Sequence, residues 1–133
     1  MAAVQLLELP SCTTSICKLE NFVRFIAGKH KISEEKFPDI LISLTEAVNN
    51  AIIHGNKKDK TKNVEISWTK TTKGLAFTVR DEGKGFNPSA VPDPTAEDRL
   101  EMCGGRGVFL IKQLSDGVHY LNNGNTVEMH FCV

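Results

Sequence analysis

Apolar residues in this chain follow two spacings in turn, and the switches between them mark its elements. Val4 to Leu9 (VQLLEL) is a short apolar run ended by Pro10, which predicts a strand. Ile16, Leu19, Phe22, Val23 and Ile26 share one helical face, so a helix is expected to about His30, capped by Ser11, Thr13 or Thr14. Ser33, Glu34 and Glu35 open a second helical region, with Pro38 suited to its first turn. That helix is expected to reach His54, where Gly55 and Asn56 supply the stop. Val64, Ile66 and Trp68 alternate with polar residues, as do Leu75, Phe77 and Val79. The turn Thr71-Thr72-Lys73-Gly74 makes the two runs an antiparallel hairpin.

From Glu82 to Cys103 the pattern vanishes, punctuated by Gly83, Gly85, Pro88, Pro92 and Pro94. Loops of that length inside a compact domain are usually lids or binding loops. Helical spacing resumes from Gly107 to Leu114, with Val108, Ile111 and Leu114 inward. Val118 to Leu121 and Thr126 to Val133 close the chain as a hairpin across Asn122-Asn123-Gly124. The order of strand, two helices, two strands, loop, helix and two strands predicts an α+β two-layer sandwich with a largely antiparallel sheet.

The second helix carries an unusual run, LTEAVNNAIIHG from Leu44 to Gly55. Asparagine is a mediocre helix former, because its amide competes for nearby backbone hydrogen bonds. At about 100° per residue, Leu41, Leu44, Val48, Ala51 and Ile52 gather into a sheet-facing stripe. Glu46 and Asn50 fall together on the opposite side, with Asn49 and His54 at its margins. A solvated back face is one reading. A ligand site is the other, since Ile42 and Ile53 bracket the polar face and the charged cluster Lys57-Lys58-Asp59-Lys60 lies beyond the helix. Periodicity alone leaves both open.

Two glycine clusters add candidate chemistry. Asp81 ends a strand and is followed by Glu82-Gly83-Lys84-Gly85, a carboxylate beside backbone that a ligand can approach closely, or an ordinary turn. Gly104-Gly105-Arg106-Gly107 runs into a helix, where free N–H groups and the positive dipole end suit a phosphate and Arg106 adds a mobile cation. The same cluster also reads as a flexible hinge. No GxxxxGK[ST], no GxGxxG after a strand and no protein-kinase HRD or DFG motif occurs, so nucleotide chemistry here needs another scaffold.

Composition narrows the class. The 133 residues fit one domain, 1–133, and are 41% hydrophobic and 24% charged, as expected of a soluble globular chain. Sixteen basic and sixteen acidic residues cancel, which favours neither nucleic acid nor a membrane surface as a general partner. Apolar runs are too short to span a bilayer and no signal peptide is recognisable, so a cytoplasmic protein is expected. Cys12, Cys17, Cys103 and Cys132 form no CxxC and fit free thiols, with Cys12 and Cys17 as an alternative pair. His30, His54, His119 and His130 show no metal-ligand spacing.

Taken in order, E-x-x-x-N (Glu46, Asn50), D-x-G-x-G (Asp81, Gly83, Gly85) and a lid ending in G-x-G before a helix (Gly105, Gly107) resemble the Bergerat-fold ATPases. Within that histidine kinase-like superfamily, EAVNNAIIHGN, VRDEGKGFNP, PDP and GGRGVFLIKQLSD look like the anti-sigma factor serine kinases of bacterial partner-switching systems. The resemblance implies a mixed, mostly antiparallel sheet with helices on one face. It implies a serine protein kinase that uses ATP and Mg²⁺ to phosphorylate a STAS-domain anti-anti-sigma protein, sequesters a sigma factor and acts as a homodimer. By motif position, Asn50 would coordinate Mg²⁺ and Glu46 would orient or deprotonate the attacking hydroxyl. Asp81 would accept the adenine amino hydrogen bond, Gly83 and Gly85 would give room around the base, and Gly105, Arg106 and Gly107 would hold the phosphates. The family commonly has Gly-Thr in its last hairpin, with the threonine near adenine. Here Gly124-Asn125-Thr126 stands there, so Asn125 occupies that position or Thr126 takes it after a shift.

Two other readings compete. One is an ATP-binding regulatory module that holds a protein partner without phosphotransfer. The other is a sensor histidine-kinase fragment, disfavoured because no helix pair bearing a phosphoacceptor histidine is recognisable. His54, at a helix end beside Gly55, reads as structural.

Overall fold

The computed structural model describes residues 5–83, 105–121 and 125–132. Five strands form one sheet in the order β1-β2-β3-β5-β4: Gln5–Pro10, Asn63–Lys70, Gly74–Arg80, Thr126–Cys132 and, for β4, Gly117–Leu121. All four pairings are antiparallel. Alternation fixes the register, because a slip of one residue would turn every apolar side chain to the wrong face. In β2, Val64, Ile66 and Trp68 point into the core, and their partners Val79 and Phe77 across the ladder are buried with them.

Three helices complete the fold: α1 over Ile16–His30, α2 over Lys36–Asn50 and α3 over Gly105–Leu114. The α2 helix touches both others. Leu19, Val23 and Ile26 of α1 and Leu44, Ala47 and Val48 of α2 join the same buried cluster as the sheet's Phe77, Met129 and Phe131. The rings of Phe77 and Phe131 meet edge to face at 6.0 Å. The expected two-layer α+β sandwich is therefore present.

Local details differ from the sequence reading at three helix ends. A short 3₁₀ turn, Thr13–Ser15, precedes α1, and Ser11 does not cap it. The Ser11 hydroxyl instead donates to the Lys62 carbonyl at 2.6 Å, while Ser15 at the N-cap position donates to the Pro10 carbonyl. The second helix is α-helical only to Asn50 and finishes as a π-helical turn over Ala51–Gly55. The third begins at Gly105, two residues before its expected start, so Gly105-Arg106-Gly107 forms its first turn. Cys12, Cys17 and Cys132 are free thiols, and Cys103 lies outside the described residues. Among the described residues no helix is long and apolar enough to cross a membrane.

Candidate functional site

The α2 helix supplies the first half of the site. Ile40, Ser43, Leu44, Ala47 and Val48 are buried, which consumes one side of the helix. Glu46 and Asn50 lie one turn apart and are only half-buried. The Asn50 side-chain amide makes no hydrogen bond among the described residues. Directly after it the helix widens. The Asn56 N–H donates to the Ala51 carbonyl at 2.7 Å, five residues back, as a π turn requires. Such turns occur frequently at functional sites, because they re-aim the backbone without ending the helix.

That re-aiming delivers Gly55 against Asp81. A Cβ built on Gly55 would lie within 2.6 Å of every carboxylate atom of Asp81, so only glycine permits this approach. Gly83 fits as tightly: a Cβ there would stand 2.7 Å from the Gly55 carbonyl carbon and 2.9 Å from Asp81 Oδ1. Asp81 is itself 7% exposed. Its Oδ1 accepts the Gly83 N–H at 2.7 Å, an Asx-type turn that folds the chain back after β3. Its backbone N–H donates to the Asn125 carbonyl at 2.9 Å. Burial pushes the Asp81 carboxyl above the usual range, partly offset by the Gly83 hydrogen bond and by Lys62. Oδ2 accepts no hydrogen bond among the described residues, which leaves an acceptor beside two glycines.

Asn56 locks this geometry, and the sequence reading had taken it only as a helix stop. It is 1% exposed, and its Nδ2 donates to Ser11 Oγ at 2.8 Å and to the Asn63 carbonyl at 3.0 Å. Its Oδ1 accepts the Glu82 N–H at 2.7 Å. One side chain thus ties together the end of α2, the chain after β1, the start of β2 and the loop after Asp81. The Glu82 carboxylate returns the link by accepting the Asn63 N–H at 2.6 Å. No sequence signal short of tertiary contact distinguishes Asn56 from an ordinary C-terminal asparagine. The backbone then passes through two consecutive left-handed residues, Lys57 at φ 52° and Lys58 at φ 59°. This conformation is uncommon for residues with a Cβ.

The last hairpin brings in both candidates from the departure noted above. Asn125 reaches Gly83 with Nδ2 at 3.4 Å from the carbonyl, besides accepting from Asp81. Thr126 is buried, pairs with Arg80 in the sheet and donates from Oγ1 to Asn125 Oδ1 at 2.9 Å. Asn125 is therefore the residue touching the D-x-G turn, and Thr126 supports it from behind. Gly85 lies outside the described residues. Gly105, Arg106 and Gly107 open α3, which packs mainly against α2 and also meets β4. Among the described residues no group of three or more His, Cys, Asp or Glu side chains could hold a metal ion.

The described parts are a carboxylate flanked by glycines, an amide and a carboxylate one turn apart on α2, and a glycine-rich start to α3. The profile described as the histidine kinase-like ATPase domain matches residues 10–131. The Serine-protein kinase RsbW of Bacillus licheniformis is 32% identical over 114 residues, spanning 78% of this chain and 69% of that protein. The protein of the same name from Bacillus subtilis (strain 168) is 30% identical over 113 residues, with the same two shares. The Anti-sigma F factor of Anoxybacillus flavithermus is 34% identical over 101 residues, 71% of this chain and 68% of that one.

Proposed function

The chain belongs to the histidine kinase-like ATPase domain family, and from that membership we propose that it is a serine protein kinase and anti-sigma factor. Its activity is transfer of the ATP γ-phosphoryl group to a protein serine. The acceptor is a STAS-domain anti-anti-sigma protein, and the unphosphorylated partner competes for a kinase homodimer that otherwise sequesters a sigma factor. The observation carrying this reading is the union of α2 with the D-x-G turn: Gly55 against Asp81, with Glu46 and Asn50 on the same helix.

In this reading Asp81 Oδ2 accepts the adenine amino group, and Gly55 and Gly83 let the end of α2 and the D-x-G turn close tightly around that carboxylate. Asn125 and Thr126 brace that turn. The Asn50 amide oxygen suits Mg²⁺, which prefers oxygen donors and, when bound, would neutralise charge on the phosphates. Gly105, Arg106 and Gly107 hold the phosphates at the α3 start, where unpaired N–H groups converge. Glu46 accepts the proton of the attacking serine hydroxyl, so that the new P–O bond forms as the bond to the ADP leaving group breaks.

Incubation with radiolabelled ATP, Mg²⁺ and a STAS-domain partner tests the proposal. Label on the partner's serine is expected. Glu46→Gln should lower transfer by about 10²–10⁴-fold while leaving ATP affinity within about twofold. Asn50→Ala should lose transfer as well. Undiminished transfer by Glu46→Gln would remove the base assignment. Tight ATP binding with no transfer to any partner would favour the second reading, a nucleotide-dependent binding module.

A further inference from the structure

A cavity lies at the end of the sheet away from Asp81. Asp81 follows the last residue of β3, whereas this cavity opens at Gly74, the first. Seven residues at about 3.3 Å each put the two roughly 20 Å apart. The cavity is about 360 Å³, within the range of small-molecule sites. Its lining includes Lys29 and Lys31 from the end of α1, Lys70 from β2 and Lys73 from the following turn, and no Asp or Glu among the described residues.

Helix polarity explains only half of this. Lysines near a helix C-terminus complement its dipole, which accounts for Lys29 and Lys31. Lys70 and Lys73 come from another element and add two charges at the same mouth. None of the four forms an ion pair among the described residues. Lys29 is held with Nζ 5.8 Å from the Trp68 ring centre, against which His30 also packs edge-on at 4.6 Å. Burial first, then Lys29 and Lys70, push the His30 imidazole below its ordinary pKa, so it adds no charge at neutral pH. A concave site lined by one sign of charge focuses its field and attracts counter-charge.

We infer that this lysine-lined cavity binds a small phosphate-bearing anion, separately from the nucleotide site. Lysine acts as a point charge suited to phosphate oxygens, and the cations lining this cavity are all lysine. Its small volume also suits a compact anion better than an extended acidic peptide.

The test uses the full ¹⁵N-labelled chain, with pyrophosphate and inorganic phosphate as probes at low salt without Mg²⁺. Saturable amide shifts at Lys31 and Gly74 are expected below about 1 mM pyrophosphate, together with a shift of the His30 ring protons. Raising salt from 50 to 300 mM should weaken them severalfold, as screening requires. Lys70→Gln with Lys73→Gln should weaken pyrophosphate at least tenfold and leave Mg-ATP affinity unchanged. Lys70 ends β2 and Lys73 sits in the following turn, both exposed, and a thermal melt checks that the fold is retained. Shifts centred on Gly105–Gly107 and unmoved by the double variant would overturn the inference. So would linear, chloride-like shifts, or saturable binding of a poly-glutamate peptide with none of pyrophosphate.

Discussion

Asn56 shows how one residue can organise a site it never touches chemically. Its two amide donors and its carbonyl oxygen all have partners inside the protein. Truncation to alanine would leave the buried Ser11 hydroxyl without its donor and the half-buried Glu82 N–H and Asn63 carbonyl short of a partner. Each unsatisfied buried group costs about 1–3 kcal/mol. Asn56→Ala is therefore expected to lower unfolding free energy by roughly 3 kcal/mol in urea titration and to weaken ATP binding by loosening the turn after Asp81. Glu46 and Asn50 were legible from helical phase, because two polar residues one turn apart must share a face. Asn56 was not legible, since its partners Ser11, Asn63 and Glu82 are distant in sequence and meet only in the fold.

At the scale of elements, the decisive feature is the π turn that finishes α2. A regular α-helix to His54 would have aimed Gly55 differently. The wider turn places it against the Asp81 carboxylate. Two glycine substitutions separate this close approach from ordinary helix propensity. Gly28 in α1 has open space where a Cβ would stand, so Gly28→Ala should stabilise the protein by about 0.5–1 kcal/mol. Gly55→Ala should do the reverse, costing about 1–3 kcal/mol through overpacking, and should weaken nucleotide binding at least tenfold. Melting curves of the two variants, with and without ATP, check both signs. Strands were read well because alternation is a local property: β2 and β3 follow it, and their register buries Val64, Ile66, Trp68, Phe77 and Val79. Helix ends were read less well. Ser11 and Ser15 spend their hydroxyls on the Lys62 and Pro10 carbonyls rather than on capping α1.

For the whole molecule, stability and binding are linked through Asp81. Its folded carboxyl is raised by burial, so the protein loses stability as pH rises from the ordinary carboxylate range through that raised value. Asp116 has the opposite sign: hydrogen bonds from the Cys132 N–H and Lys36 hold it low, so its contribution is present at neutral pH and lost on acidification. Asp81→Asn keeps an oxygen for the Gly83 N–H and should melt higher than wild type at pH 7, with the gain shrinking toward pH 4. The same variant should bind ATP about 10–100-fold more weakly, the worth of one charge-assisted hydrogen bond. ATP at a hundred times its Kd should stabilise wild type by about 2.7 kcal/mol, a rise in Tm of roughly 10 °C that falls to roughly 1.5–5 °C in Asp81→Asn at equal concentration. A lower melting point for Asp81→Asn at pH 7 would refute the burial argument. By itself the sequence determined the α+β order of elements, the core stripe of α2 and the shared face of Glu46 and Asn50. Periodicity, turn chemistry and motif order are all written within short windows of chain. Only the tertiary structure decided that Gly55 meets Asp81, that Asn56 and Asn125 clamp the turn beside it, and that four separated lysines share one cavity. Those outcomes depend on which distant segments pack together, and packing is settled by the whole core rather than by any local spacing.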